Sequence, residues 1–366
     1  MMTSGKYYLQ PLGFLRGSFA SEAVEAGTAL PLVGGPGAFT AFLFREREMN
    51  GPVRQSVMPV GAFDAFLGNL PPEIAGELRA LRERITSARP ALQLPDGRLI
   101  DWDRPLIQGI LNVTPDSFSD GGLHNSPDRA LDHAREMMAQ GADIIDIGGE
   151  STRPGAEAVS IDEELERVLP VIKKLAGTGA IASLDTRNAA VMRQGLEAGA
   201  QIINDVSALA HDEEAVSVLQ ECAAPVILMH AQGTPQTMQR DPVYDDVLLD
   251  VYDYLEQRLE FCQQNGIARD RLIVDPGIGF GKTVDHNAAL LQGLALFHGL
   301  GVPILLGASR KRFIEAMSRQ GRADRRLGGS LSVAQLAWEN DIQIVRVHDV
   351  PETVQMCDVW SYIGSM

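Results

Sequence analysis

The stretch LIQGILNVTPDSFSDGG (residues 106–122) decides how the rest of the chain is read. A short apolar run passes directly into a polar cluster ending in paired glycines. That is the pattern of a strand covered on both faces that opens into a loop. The pattern returns seven times. DIIDIG (143–148) opens into GGESTRPG (148–155), AIASL (180–184) into DT (185–186), QIIN (201–204) into ND (204–205), and PVILM (225–229) into MH (229–230). LIVD (272–275) then opens into DPGIGFGK (275–282), PILLG (303–307) into GASRK (307–311), and IQIVRV (342–347) into RVHD (346–349). Amphipathic stretches separate these runs. Eight βα units in one chain predict a closed (β/α)8 TIM barrel of the α/β class rather than an open doubly wound sheet.

The connecting stretches carry helix signals of their own. Ser126-Pro127 offers a cap followed by proline at the first helical position, and Gly141 closes that helix. Ser160 and Glu163 form a capping box, followed by Ile161, Leu165, Val168, Leu169 and Ile172 at core-facing spacing. Before the first strand, LQLPDGRLIDW (92–102) reads as a hairpin around a Pro-Asp-Gly turn, placed to plug the barrel floor.

Composition shifts near residue 90. Residues 1–90 hold nine basic and eight acidic residues, whereas residues 91–366 hold 23 basic and 40 acidic ones. Seven of the 12 phenylalanines lie before residue 91. These shifts divide the chain into a folded α+β extension (1–90) and the barrel (91–366). Within the extension TALPLV, AFTAFLF and SVMPVG are strand-like and PPEIAGELRALRERI (71–85) is helical. Its role does not show in the residues. It is expected to meet the barrel on the face opposite the strand-end clusters.

The net charge of −16 argues against nucleic acid or an anionic membrane as a general partner. Any anion must therefore be held by a local group of cations. Three cysteines without CxxC spacing argue against a disulfide framework and a zinc site. The N-terminus lacks the layout of a secretory signal, and no run is long enough to span a membrane, so a cytoplasmic protein is expected.

In a (β/α)8 barrel the chemistry sits at the C-terminal ends of the strands. One polar cluster there reads as a capped turn; eight together, bearing Arg, Lys, His and several carboxylates, do not. Ser309, Arg310 and Lys311 follow the seventh strand and Arg346 and His348 end the eighth, where barrel enzymes often bind phosphate. For Arg346 the plainer reading is an ion pair with a rim carboxylate. Asp185 and Asp275 are costly to bury unless they accept strong hydrogen bonds, such as those from an amino-pyrimidine edge. Either alone could instead cap a helix. GIGFGKT (277–283) is not a P-loop: three residues, not four, separate Gly277 from Gly281, and Pro276 stands where glycine belongs. Its glycines suit a backbone lying close to a flat ligand, with Phe280 as a wall.

ILNVTPDSFSDGG, DIGGESTRPGA, DT, IINDVSA, MHAQGTPQTMQ, VDPGIGFGKT, GASRKRF and IVRVHDV together resemble the dihydropteroate synthases over residues 92–366. The resemblance implies the joining of a dihydropterin diphosphate to 4-aminobenzoate. It implies that Asp185, Asn204, Asp275 and Lys311 grip the pterin ring, with Met229 and Gly307 lining the pocket. Asn112, with Mg²⁺, and Arg346 and His348 match the diphosphate binders. Phe118, Thr152, Arg153, Pro154, Phe280 and Ser309 match residues around 4-aminobenzoate. Lys311, Arg346, His348 and Asp185 are the residues expected to carry catalysis, and Asn112 the one to touch the metal. Small-molecule substrates and a homodimer are the expected partners. Leu184 before the Asp-Thr pair and Ala231 after Met-His depart from the pattern without removing a functional group.

Two rival functions differ at specific residues. A pterin-dependent methyltransferase serving a corrinoid protein would share the carboxylates but not need STRPG or the Arg-x-His pair. A catalytically silent scaffold would be expected to have lost a cation or carboxylate, and none is missing.

Overall fold

A computed structural model describes residues 5–48, 52–113, 126–150, 159–233, 237–238, 241–318 and 321–365. The extension contains β1 (Lys6–Leu15), α1 (Gly17–Glu25), β2 (Leu30–Pro31), β3 (Ala38–Arg47), β4 (Val53–Pro59), α2 (Phe63–Leu67) and α3 (Pro72–Thr86). The hairpin follows as β5 (Leu92–Gln93) and β6 (Leu99–Ile100). The barrel then alternates β7 (Leu106–Asn112), α4 (Ser126–Ala139), β8 (Ile144–Gly148), α5 (Ile161–Leu175), β9 (Ile181–Asp185), α6 (Ala189–Glu197), β10 (Ile202–Asp205), α7 (Ala215–Gln220) and β11 (Val226–Met229). It continues through α8 (Val247–Gln264), β12 (Leu272–Asp275), α9 (Val284–Gln292), β13 (Leu305–Leu306), α10 (Arg312–Met317), α11 (Leu327–Glu339), β14 (Ile344–Val347) and α12 (Val350–Gly364).

The eight barrel strands are parallel in the order β12-β11-β10-β9-β8-β7-β14-β13. A parallel bridge between Val274 and Ile304 joins the two ends of that order. Every strand expected from the sequence is present. The seventh is the shortest, because Pro303 brings no N–H to the ladder. Ser160 caps α5 by accepting the Glu163 N–H at 3.3 Å. Ile161, expected in the core, is exposed in the first turn of that helix.

The floor of the barrel is apolar. Leu106, Ile144, Ile181, Ile202, Ile227, Ile273, Leu305 and Ile344, one from each strand, pack against Leu92, Leu94, Ile100 and Trp102 of the hairpin. Strand alternation brings the next inward position two residues on, and there the interior turns polar: Gln108, Asp146, Ser183, Asn204 and Asp275, with Arg346 from β14. The apolar floor thus closes the barrel beneath its chemistry.

β3 is central in the extension's antiparallel sheet, flanked by β1, β2 and β4. Phe39, Phe42, Phe63, Leu78 and Ile85 form its own core. β1 does not read as a strand in the sequence because Pro11 and Gly13 look like breakers. It is an edge strand, where proline is tolerated. The extension runs along the flank of the barrel rather than across its floor. Tyr8 is fully buried in the barrel's core, edge-on to Tyr252 at 5.4 Å, and its hydroxyl donates to Asp253 at 2.9 Å. Arg47 pairs with Asp250 of α8 at 2.6 Å. Arg16 pairs with Asp341 at 2.6 Å and donates to the Trp338 and Glu339 carbonyls that end α11.

Candidate active site

Asp146 is the hub of the polar layer, and the sequence reading missed it because it sits inside an apolar run. Its Oδ1 accepts the Ser183 hydroxyl at 2.6 Å, and its Oδ2 accepts the Asn204 amide at 3.0 Å and Arg346 Nε at 2.6 Å. Arg346 Nη2 reaches Asp185 Oδ2 at 2.8 Å. One guanidinium therefore bridges two buried carboxylates, so the ion-pair reading of Arg346 holds. The available signal was cost: a carboxylate in the middle of a buried strand must have partners. Burial pushes the Asp185 carboxyl up to about 7, against the pull of Arg346 and with Asp146 adding to the rise. Asn112, Gly148 and Asp185 are in register across β7, β8 and β9. Gly148 leaves the space between the Asn112 and Asp185 side chains open, since a Cβ there would stand 3.7 Å from each carboxyl or amide oxygen.

The opposite wall is built from β12 and β13. Asp275 Oδ1 accepts the Gly277 N–H at 2.7 Å. Lys311 Nζ donates to the Ile278 carbonyl and lies 4.5 Å from the centroid of the Phe280 ring. Burial lowers Lys311 to about 8 while Asp275 opposes that fall, and burial raises Asp275 while Lys311 opposes that rise. Met229 is in register with Asp275 and buried. Gly307 stands between the two walls, its missing Cβ 3.6 Å from Asp275 Oδ2 and 3.8 Å from Arg346 Cβ.

Gly277 has φ +67, and a Cβ there would meet the His230 carbonyl oxygen at 1.9 Å. Gly277→Ala is therefore expected to push the 276–282 turn away from His230 and raise the Kd for a ligand of this site at least about tenfold, the scale of one lost charge-assisted hydrogen bond. Calorimetry checks it, and unchanged affinity would show that the turn's packing is irrelevant to the site.

At the rim, His348 donates its backbone N–H to Ser309 Oγ at 3.2 Å, and its Nδ1 lies 3.1 Å from the same oxygen. Ser309 thus orients the His348 ring. Arg310, one of the cations after the seventh strand, is taken up by a carboxylate. Its φ of +56 turns the side chain away from that of Lys311 and onto Asp349, with Nε–Oδ2 at 3.0 Å. Phe118, Thr152, Arg153 and Pro154 lie outside the described residues. Among the described residues no group of three or more His, Cys, Asp or Glu is placed to hold a metal ion.

Fold and site define a class: a (β/α)8 barrel enzyme whose polar layer sets buried carboxylates against Arg346 and Lys311 at the C-terminal ends of the strands. Residues 108–348 match the family model described as pterin binding enzyme. Dihydropteroate synthase of Escherichia coli K12 is 48% identical over 260 residues, covering 71% of this chain and 92% of that protein. The chain belongs to the dihydropteroate synthase family. The Xanthomonas albilineans dihydropteroate synthase solved with 7,8-dihydropteroate is 40% identical with a TM-score of 0.69, covering 76% of this chain and 100% of that one. The Yersinia pestis enzyme solved with a sulfonamide drug is 44% identical with a TM-score of 0.71, covering 75% and 99%.

Proposed function

We propose that this chain is a transferase that condenses (7,8-dihydropterin-6-yl)methyl diphosphate with 4-aminobenzoate, giving 7,8-dihydropteroate and diphosphate in folate biosynthesis. The observation that carries the reading is the two-walled site itself, Asp146–Arg346–Asp185 facing Asp275–Lys311. Asp185 and Asp275 accept hydrogen bonds from the ring, Asn204 is aligned through Asp146, and Lys311 donates to the ring from beside Phe280. Met229 and Gly307 line the pocket. Arg346 and His348 face the diphosphate. Phe280 and Ser309 serve 4-aminobenzoate, and the resemblance assigns Phe118, Thr152, Arg153 and Pro154 to the same substrate.

Breaking the methylene C–O bond sends its electron pair to diphosphate and leaves positive charge on the ring system. The amine lone pair of 4-aminobenzoate then closes the C–N bond, and its nitrogen loses a proton. Arg346 and His348 stabilise the departing charge, and buried Asp185 and Asp275 the charge left behind. An aromatic amine is nucleophilic when neutral, so positioning matters more than a dedicated base. Asn112 suits Mg²⁺: it offers a hard amide oxygen across Gly148 from Asp185, with no cluster of carboxylates among the described residues, as would suit an ion held largely by substrate phosphates and water. Held by Asn112, the ion would supply charge neutralisation to the diphosphate.

Purified protein is expected to release diphosphate only with both substrates and Mg²⁺ present. A sulfonamide should inhibit competitively with 4-aminobenzoate. A folded sample without turnover sinks the reaction, and competition with the pterin instead would show that the amine pocket is misassigned.

The acid limb of kcat/KM for the pterin substrate tests Asp185. The ring needs the ionised carboxylate, and burial raises this group to about 7, so kcat/KM should fall as pH drops through that value. Asp185→Asn should remove that limb along with most activity. The same shift means the folded state binds a proton the unfolded state does not, so this group's contribution to stability is full at low pH and is lost as pH rises through about 7.

A further inference from the structure

Lys282 is 2% exposed and has no part in the reaction as drawn above. Its Nζ lies 2.9 Å from His230 Nδ1, 3.3 Å from the His230 carbonyl, 2.9 Å from the Gly277 carbonyl and 2.9 Å from the Phe280 carbonyl. An ammonium carries three donors and accepts nothing, so four acceptors around it form a complete cradle. Two of those acceptors belong to the turn after β11 and two to the turn after β12. Gly277, Gly279 and Gly281 all have positive φ, at 67, 84 and 63°, which lets the carbonyls of the second turn converge on one point.

The same turn holds a second lysine. The Ile278 carbonyl, between the two that take Lys282, accepts Lys311 Nζ, and Phe280 lays its ring beside that ammonium. A Cβ on Gly279 would stand 3.1 Å from Lys311 Cδ, so the backbone lies directly against the Lys311 stem. Any shift of this turn therefore moves the Lys311 ammonium.

We propose that Lys282 is a positioning residue for the pterin site, fixing the Ile278 carbonyl and the Phe280 ring that hold Lys311 in place. The role rests on the dihydropteroate synthase reading above. Burial and neighbouring Lys282 keep His230 well below its ordinary value, so its ring is a neutral partner for Lys282. Asp275 opposes the large fall that burial imposes on Lys282.

Lys282→Met keeps the length of the side chain and removes the ammonium. It should raise the Kd for 6-hydroxymethylpterin and the KM for the dihydropterin diphosphate at least about tenfold, with kcat at saturating pterin changed less than about threefold. Lys282→Arg should not rescue, because a planar fork cannot satisfy this cradle. In a Lys311→Met background, Lys282→Met should add less than about twofold to the Kd, since its effect passes through Lys311. Normal binding by Lys282→Met, or a full effect in the Lys311→Met background, overturns the proposal. Tyr244→Phe keeps it testable if Lys282→Met does not fold. The Tyr244 hydroxyl holds the same turn by donating to the Gly281 carbonyl at 2.7 Å, so its loss should raise the pterin Kd at least about twofold, and an unchanged Kd counts against the role. Absent turnover in the wild-type protein overturns the reaction. Normal wild-type turnover with unaltered Lys282→Met kinetics overturns only the positioning role.

Discussion

Arg346→Met is expected to abolish measurable turnover and to lower stability by about 3–5 kcal/mol, the cost of breaking a buried ion pair from one side. The guanidinium bonds Asp146 at 2.6 Å and Asp185 at 2.8 Å, so its loss leaves two buried carboxylates without their cation. Asp185 then rises further, because Arg346 is what opposes the effect of burial on it, and at neutral pH it becomes a donor where the ring needs an acceptor. Binding of a phosphate-free pterin should therefore weaken along with binding of the diphosphate. Adding Asp146→Asn should restore part of the stability without restoring activity, because the second unpaired charge is gone while the anion site remains empty of its cation. Urea denaturation and steady-state kinetics on both variants decide the matter. Retained affinity for the phosphate-free pterin would mean that Arg346 serves the diphosphate alone.

Tyr8→Ala should cost a similar amount, about 3–5 kcal/mol, through the cavity left by a buried aromatic ring. It should do so without changing kcat. Tyr8 belongs to the extension, yet it is wholly inside the barrel's core, packed on Tyr252, with its hydroxyl on Asp253 at 2.9 Å. A chain beginning at residue 91 would lose this ring together with the Lys6, Arg16 and Arg47 ion pairs. Such a chain is expected to melt well below the full-length protein while its folded fraction keeps its affinity for both substrates. If Tyr8→Ala melted like the wild type, the extension would be an ornament on an independently stable barrel. If it melted normally but turned over poorly, the extension would act on the rim.

The barrel was legible because each strand carries its own evidence: a continuous apolar run, then a polar end. Asp185, Asp275, Lys311 and Arg346 were legible for the same reason, as polar residues at strand ends. Asp146 was not, because strand alternation hides an inward-facing residue among outward-facing isoleucines, and its partners Ser183, Asn204 and Arg346 lie 37, 58 and 200 residues away. Arg310 and Lys311 are neighbours in sequence, and only the structure, with a positive φ at Arg310, shows that one pairs with Asp349 and the other with the Ile278 carbonyl and the Phe280 ring. β1 was lost to Pro11 and Gly13, whose breaker signals mean little on an edge strand. Lys282 drew no role from the sequence, where GIGFGKT fails as a P-loop, and only its three-dimensional neighbours give it a partner set.

Among the described residues, the hairpin of β5 and β6 stops the barrel from below. Its Leu92, Leu94, Ile100 and Trp102 join eight strand residues in an apolar stopper below Asp146 and Arg346. Solvent and protons then exchange with the polar layer from above, past the space a ligand would fill. A ring seated there is itself the cork. Of the charges beneath it, Asp146 is fully buried, and it interacts with Arg346 across a medium far less screening than water. What the floor gives the polar layer is separation from solvent below: a stretch of sequence far from the rim sets the medium in which Asp146 and Arg346 interact.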